Sequence, residues 1–235
     1  MGYQTPTTKK ILGDPDGDYE QFLYAVSHDL QEPLRMVNSF LKLLDGKAGD
    51  KLDADARKYL DFSIENASRM KGMIYSLVEL SRINRSSEVA SEIDLNEVIQ
   101  DLLGMFHTNI KSSNAIVNSA QLPRVNMIAS QAIDLFKILI QNTFDNIGPD
   151  PLELSISSKK KKDRVEITLT DNGVGIKPVY LDKVFEMFKR TDAKSQKLGA
   201  GLAIAREIIK KCEGTIWIES ELGKGTSVIF TLPLV

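Results

Sequence analysis

Arg164–Ile176 reads RVEITLTDNGVGI, and two rules of local structure meet inside it. Val165, Ile167 and Leu169 alternate with polar residues, which is the period of a strand with one buried face. The alternation then runs into Asp171, Asn172, Gly173, Val174 and Gly175. The two glycines open backbone conformations closed to other residues and permit close approach of a ligand, and an aspartate at a strand end can accept a hydrogen bond from an exocyclic amine. By itself DNG is compatible with an ordinary turn.

A second glycine element changes the balance. Lys197–Ile209 reads KLGAGLAIAREII, so Gly199 and Gly201 stand just ahead of a helix whose free N–H groups and dipole favour a phosphate. Two glycine elements flanking one connecting loop point to a nucleotide site. The P-loop is excluded because no Lys-Ser or Lys-Thr closes a glycine loop, and the GxGxxG dinucleotide fingerprint is absent.

Around this centre the chain alternates helical windows, LNEVIQDLLGMFHTNI, SQAIDLFKILIQNTFDNI and GLAIAREIIKKC, with strand-like runs, LELSISS, RVEITLTD, TIWIES and TSVIFTL. This is the pattern of an α+β domain over residues 93–235. Lys159–Lys162 falls between two of the strands and reads as a solvated hairpin tip. Upstream, small polar residues over 84–92 mark a linker. Before it, Leu23, Val26, Leu30, Leu34, Val37, Leu41 and Leu44 recur at spacings of three and four. After the breakers Gly46 and Gly49, the pattern repeats in Leu60, Ile64, Ala67, Met70, Ile74, Leu77 and Leu80. Residues 19–83 are therefore an antiparallel helical hairpin. Two such helices cannot cover each other's apolar stripes on every side, so a homodimeric four-helix bundle is expected. Residues 1–18 are polar and turn-rich and read as a tether, with any sensing module outside this chain.

Composition narrows the class. The 235 residues carry a formal charge of −2 and 42% apolar residues, enough for a core and without the cationic excess a nucleic-acid groove needs. The single cysteine, Cys212, cannot form an internal disulfide, and no apolar run reaches transmembrane length. A cytoplasmic setting is expected.

The order of motifs resembles the transmitter core of sensor histidine kinases over Tyr19–Val235, in the version found in phytochrome-like members. SHDLQEPLR (27–35) resembles the H-box, LFKILIQNTFDN (135–146) the N-box, DNGVGI (171–176) the first glycine box, VFEMFKR (184–190) the phenylalanine box and LGAGLAIA (198–205) the second glycine box. The resemblance implies a dimerisation and histidine-phosphotransfer hairpin followed by a Bergerat-type ATP-binding sandwich, with ATP and Mg²⁺ as cofactors and a response-regulator receiver domain as partner. It implies that Asn142 holds Mg²⁺, that Asp171 bonds the adenine amine, that Gly173 and Gly175 shape the pocket, and that Asn172 lies near the phosphates. Phe185 and Phe188 would anchor the lid, Lys189 and Arg190 would offer it cations, and Gly199, Ala200, Gly201 and Leu202 would border the phosphates.

It also implies that His28 is the phosphoacceptor, with Asp29 orienting its ring. His28 lies off the Leu23, Val26, Leu30, Leu34 stripe, and a neutral imidazole has a lone pair able to attack phosphorus. Pro33 removes the backbone hydrogen bond to residue 29. The other histidine, His107, has no comparable context.

The N-box departs from the family pattern. Asp145 and Asn146 stand where a lysine and an aromatic residue are usual, Ile138 occupies a frequently polar position, and Lys197 with Leu198 replace a Gly-Thr pair. A carboxylate near the polyphosphate would be repulsive, with Lys189, Arg190, Lys194 or Lys197 as compensating cations. The alternative is a dimeric phosphotransfer or docking scaffold with weakened ATP binding.

Overall fold

The computed structural model describes residues 15–189 and 198–235, with side chains from residue 25 onward. The lid candidates Arg190, Lys194 and Lys197 lie outside the described residues. The chain divides into two compact units at Arg85 and Ser86.

The first unit is a helical hairpin. Helix α1 (Pro15–Ala48) runs through Pro33 without interruption, a single 3₁₀ turn follows at Gly49–Lys51, and α2 spans Ala54–Arg85. The Asp53 carboxylate accepts the Ala56 N–H at 2.8 Å, capping the start of α2. At the corner, Arg57 on α2 donates to Asp45 on α1 at 2.7 Å and pairs with Asp61 at 3.1 Å. Gly49 leaves room for this pair, because a Cβ at this position would sit 2.7 Å from both the Arg57 guanidinium and the Asp45 carboxylate and would make those side chains shift.

Between the helices Ser27, Leu34 and Asn38 of α1 are buried, as are Leu60, Ala67, Ser81 and Ile83 of α2. The Ser68 hydroxyl donates to Asn38 Oδ1 at 3.2 Å across the hairpin. The single stripe expected for α1 is thus divided. Leu34 faces inward, whereas Val26, Leu30, Val37 and Leu44 are exposed.

The second unit is a sandwich of helices on a sheet. Its elements are β1 (Ser91–Asp94), α3 (Leu95–Met105), α4 (His107–Ser112), β2 (Ile116–Ser119), β3 (Arg124–Met127) and α5 (Ala129–Phe144). They continue with β4 (Glu153–Lys161), β5 (Arg164–Asp171), α6 (Pro178–Leu181), α7 (Gly201–Lys211), β6 (Ile216–Glu221) and β7 (Gly225–Pro233). Five strands form one sheet in the order β2-β4-β5-β7-β6, antiparallel except for the β2-β4 pair, and β1 pairs with β3 in a separate antiparallel ribbon. Strand β1 begins inside the segment read as linker, because its residues find partners in β3.

Strands β4 and β5 pair closely and close a hairpin whose turn residues are Lys162 and Asp163, so Lys159–Lys161, read as lying between strands, instead end β4 and only Lys162 lies in the turn. One face of the sheet is apolar, with Leu154, Ile156, Val165, Ile167, Leu169, Val228, Phe230 and Leu232 buried. Against it lie Leu135, Phe136, Leu139 and Ile140 of α5 and Ala203, Ile204, Ala205, Ile208 and Ile209 of α7. Phe136 meets Phe230 edge-on with ring centroids 5.7 Å apart. The strand period has a direct consequence for the site: Asp171 continues the inward row of Val165, Ile167 and Leu169, so it points into the same layer that α5 and α7 cover.

Candidate functional site

The Asp171 carboxylate is buried, 9% exposed, at the end of β5. Its Oδ1 accepts the Gly173 N–H at 2.9 Å and the Thr226 N–H from β7 at 3.2 Å. Burial pushes this carboxyl above the ordinary carboxylate range, and hydrogen bonds from the Gly173 and Thr226 backbone and the Thr143 hydroxyl pull it partly back. A buried carboxylate whose backbone donors both meet Oδ1 retains acceptor capacity suited to a neutral nitrogenous base offering an amine.

The glycines explain how the loop fits. A Cβ on Gly173 would fall onto the Asn146 carbonyl oxygen, and one on Gly175, whose φ is +67°, onto that of Glu221. With the side chains absent, the Val174 N–H reaches Asn146 O at 2.9 Å and the Gly223 N–H reaches Val174 O at 2.9 Å. The loop is therefore stitched on one side to the end of α5 and on the other to the β6–β7 turn. Asn172, expected near phosphates, has its carboxamide engaged by backbone: Oδ1 accepts the Glu153 N–H at 2.8 Å and Nδ2 donates to Pro151 O at 2.9 Å. It fixes the entry of β4 to this loop.

Asn142 stands in the last turns of α5 and is half-buried. Asn146, just past the helix end, donates through Nδ2 to Asn142 O at 2.6 Å and to Asn142 Oδ1 at 3.1 Å. Asp145, the C-cap residue, points elsewhere: its exposed carboxylate accepts the Gln141 amide at 2.7 Å. One turn before Asn142, Ile138 packs at the start of α7, where a Cβ on Gly201 would lie 3.1 Å from Ile138 Cγ2. Gly201 thus lets the N-terminus of α7 approach α5, and Ala200 ahead of it is buried while Leu202 is half-buried.

Across the intervening segment, the Phe188 N–H donates to Gly199 O at 2.8 Å, and both residues have positive φ, +63° and +72°. A Cβ on Gly199 would strike the Lys189 carbonyl oxygen. Phe185 and Phe188 are half-buried, and the exposed Lys189 lies 3.5 Å from Glu186. The two ends of the segment that follows Lys189 are therefore pinned together beside the start of α7.

Asp171, Thr143, Asn146, Asn142, Ile138 and Gly201 form a continuous line of contacts from a buried carboxylate to a helix N-terminus. The line offers a buried acceptor at one end and free helix N–H groups at the other. Among the described residues no group of three His, Cys, Asp or Glu is placed to hold a metal ion. The donor chemistry still fits a magnesium ion: Asn142 Oδ1 has a second lone pair, and this cation takes its remaining ligands from phosphate and water. Thr143 and Thr226 are contributors the sequence motifs did not single out, and Asn146, which stood out there only as a departure from the family pattern, is a third. Thr226 lies in GKGTS, where a glycine pair ahead of a strand marks a close backbone approach: a Cβ on Gly225, φ +119°, would strike Asp171 O.

In the hairpin unit, His28 and Asp29 are strongly exposed, with side-chain accessibilities of 71% and 84%, and His28 Nδ1 lies 3.4 Å from Asp29 Oδ1. The neighbouring Ser27 is buried, so the helix face that packs inward ends immediately beside the imidazole. His107 opens α4 and is exposed. No described helix is long and apolar enough to cross a membrane.

Residues 128–235 match the family described as histidine kinase-, DNA gyrase B- and HSP90-like ATPase, and residues 18–86 match the His Kinase A (phospho-acceptor) domain. The chain is 31% identical over 221 residues to cyanobacterial phytochrome A of Nostoc sp., covering 93% of this chain and 29% of that protein. It is 32% identical over 224 residues to the methanogenesis regulatory histidine kinase FilI of Methanothrix harundinacea, covering 93% of this chain and 25% of that protein. The chain thus spans between a quarter and a third of the length of these relatives. Among solved structures, the nucleotide-free catalytic domain of histidine kinase ThkA aligns with a TM-score of 0.54 at 26% identity, over 61% of this chain and 95% of that one. Full-length ShkA in complex with AMPPNP shares the fold, with a TM-score of 0.66 at 20% identity, over 91% of this chain and 46% of that chain.

Proposed function

The chain belongs to the sensor histidine kinases, joining that family's phospho-acceptor and ATPase domains, and from this premise we propose that it transfers the γ-phosphoryl group of ATP to His28 and from there to an aspartate of a response-regulator receiver domain. The observation that carries this reading is the pairing, in one chain, of a buried carboxylate beside a glycine cradle with a solvent-facing histidine on a packed helix.

Asp171 accepts the adenine amine, while Gly173 and Gly175 keep the pocket wall at backbone height. The N-terminus of α7 faces the phosphates. Magnesium held by Asn142 would supply charge neutralisation on the phosphate oxygens. The neutral His28 ring attacks phosphorus through its Nε2 lone pair as the bond to the ADP oxygen breaks, and Asp29, beside Nδ1, holds the proton on the other nitrogen. The product is a phosphohistidine, whose N–P bond is then exchanged for an O–P bond on the receiver carboxylate.

Leu30, Val37, Phe40 and Leu44, all exposed in the single hairpin, support a homodimer through a four-helix bundle. An ATP substrate and a receiver partner set the reaction in the cytoplasm. The intact Asp171 pocket speaks against the docking-scaffold alternative.

The test is incubation with labelled ATP followed by acid and alkali treatment. Acid-labile, alkali-stable label that disappears in His28→Gln is expected; absence of such label under saturating Mg-ATP overturns the proposal.

A further inference from the structure

Asn146 occupies a position where an aromatic side chain is usual in resembling sequences, and its contacts give it a defined task. Its Nδ2 lies 2.6 Å from the Asn142 backbone oxygen and 3.1 Å from Asn142 Oδ1. A backbone carbonyl only accepts, so the Asn146 atom facing it must be the amide nitrogen. The same nitrogen then dictates which end of the Asn142 carboxamide faces it, because a second NH₂ there would set donor against donor. The Asn142 side chain is therefore held with its oxygen at a fixed place.

Asn146 is itself held. Its N–H donates to Thr143 O at 3.1 Å, and its carbonyl accepts the Val174 N–H at 2.9 Å. The approach of that loop is possible only because residue 173 is glycine, whose added Cβ would overlap Asn146 O. One residue thus connects the carboxamide at the phosphate end of the site to the loop that carries Asp171 at the base end.

We propose that Asn146 is a positioning residue for the divalent cation of the nucleotide site, orienting the Asn142 carboxamide oxygen as a metal ligand. This rests on the nucleotide-site reading above. Partners that hydrogen-bond a ligating group fix its orientation, and their loss typically weakens metal binding by about 10- to 100-fold. Ile138, one turn earlier on α5, is apolar and cannot share the ligation, so the orientation of the single carboxamide matters more here than in a site with two polar ligands.

The experiment is calorimetric titration of ADP into wild type, Asn146→Ala and Asn146→Leu, each with excess EDTA and across a magnesium series. Leucine keeps the branched shape of asparagine, although with bulkier methyl groups, and lacks its polar atoms. The affinity of each variant in EDTA is its own reference, and relative to it the magnesium concentration giving half of the metal-dependent gain in affinity is expected to rise by about tenfold over wild type. A magnesium dependence equal to wild type in Asn146→Leu overturns the proposal, as does a loss of metal-free affinity equal to the loss with metal, which marks a purely structural role. Wild type that fails to bind ADP under either condition overturns the nucleotide-site reading instead, and Asp171→Asn measured in EDTA separates the two, since it removes the base contact and leaves Asn146 intact.

Discussion

Replacing Asp171 by asparagine separates what this carboxylate does for binding from what it costs the fold. Oδ1 carries both backbone bonds, from Gly173 at 2.9 Å and Thr226 at 3.2 Å, and the asparagine carbonyl retains them without a change of shape. The other oxygen becomes an NH₂, which would meet the adenine amine as donor against donor. A hydrogen bond to a charged group contributes about 1.5–3 kcal/mol, so nucleotide affinity should fall by about 10- to 150-fold.

Stability should move the other way. Burial raises the Asp171 carboxyl above its ordinary value of 3.8, so folding disfavours the ionised form. The group's contribution is most favourable below the unfolded value and is lost as pH rises through the raised folded one. The substituted carboxamide cannot ionise, so Asp171→Asn should melt at a higher temperature than wild type near pH 7, and the difference should shrink below about pH 4, where wild type is protonated in both states. Titration calorimetry with ADP and melting curves at the two pH values read both effects. An affinity within about threefold of wild type refutes the base contact. A lower melting temperature near neutrality refutes the desolvation argument.

Two further substitutions probe the neighbourhood. Asp145→Lys should tighten nucleotide binding by only about two- to fivefold, because the Asp145 carboxylate is exposed and already engaged by Gln141 at 2.7 Å; an unchanged affinity shows that it exerts no repulsion on the phosphates. Phe136→Ala removes a fully buried ring set edge-on against Phe230, and urea unfolding of the ATPase unit should register a loss of about 3–5 kcal/mol; a loss under about 1 kcal/mol means that the α5–sheet contact is not as packed as described.

The sequence and the structure agree most closely where function depends on backbone chemistry. Gly175 and Gly199 were readable as positions of close backbone approach because a glycine in a positive-φ turn has few substitutes, and the structure places carbonyl oxygens where their Cβ atoms would go. The long alternating strands β4, β5 and β7 were readable for the same reason, each carrying its own period. The ribbon of β1 and β3 was not: four residues each give no sustained alternation, and their pairing is decided by partners about 30 residues away along the chain. Asn146 escaped for a related reason. Local spacing places it on the turn after α5, within reach of Asn142, but the bond its carbonyl accepts from Val174 arises only when the DNGVG loop folds back onto that turn. The expectation of a repulsive carboxylate near the polyphosphate follows from the place of Asp145 in the N-box, yet the helix ends at Phe144 and the Asp145 carboxylate is engaged by Gln141.

The divided stripe of α1 shows what one sequence pattern can conceal. Leu30, Val37 and Leu44 recur every seven residues, and so do Ser27, Leu34 and Leu41. Interleaved at spacings of three and four, the two series look like one apolar band, but on a helix they are the two edges of a seam. Within the hairpin α2 covers only one edge: Ser27 and Leu34 are buried, whereas Leu30, Val37 and Leu44 remain 48%, 46% and 48% exposed. A lone helix pair supplies nothing further to cover the second edge, and leaving a row of large aliphatic side chains in water forgoes the burial that would favour a closed bundle. The alternation within the heptad therefore divides into one edge covered inside the chain and one that the proposed homodimer would cover. His28 lies one position beyond the buried Ser27 and outside both series, which keeps its ring in solvent whether or not the second edge is covered.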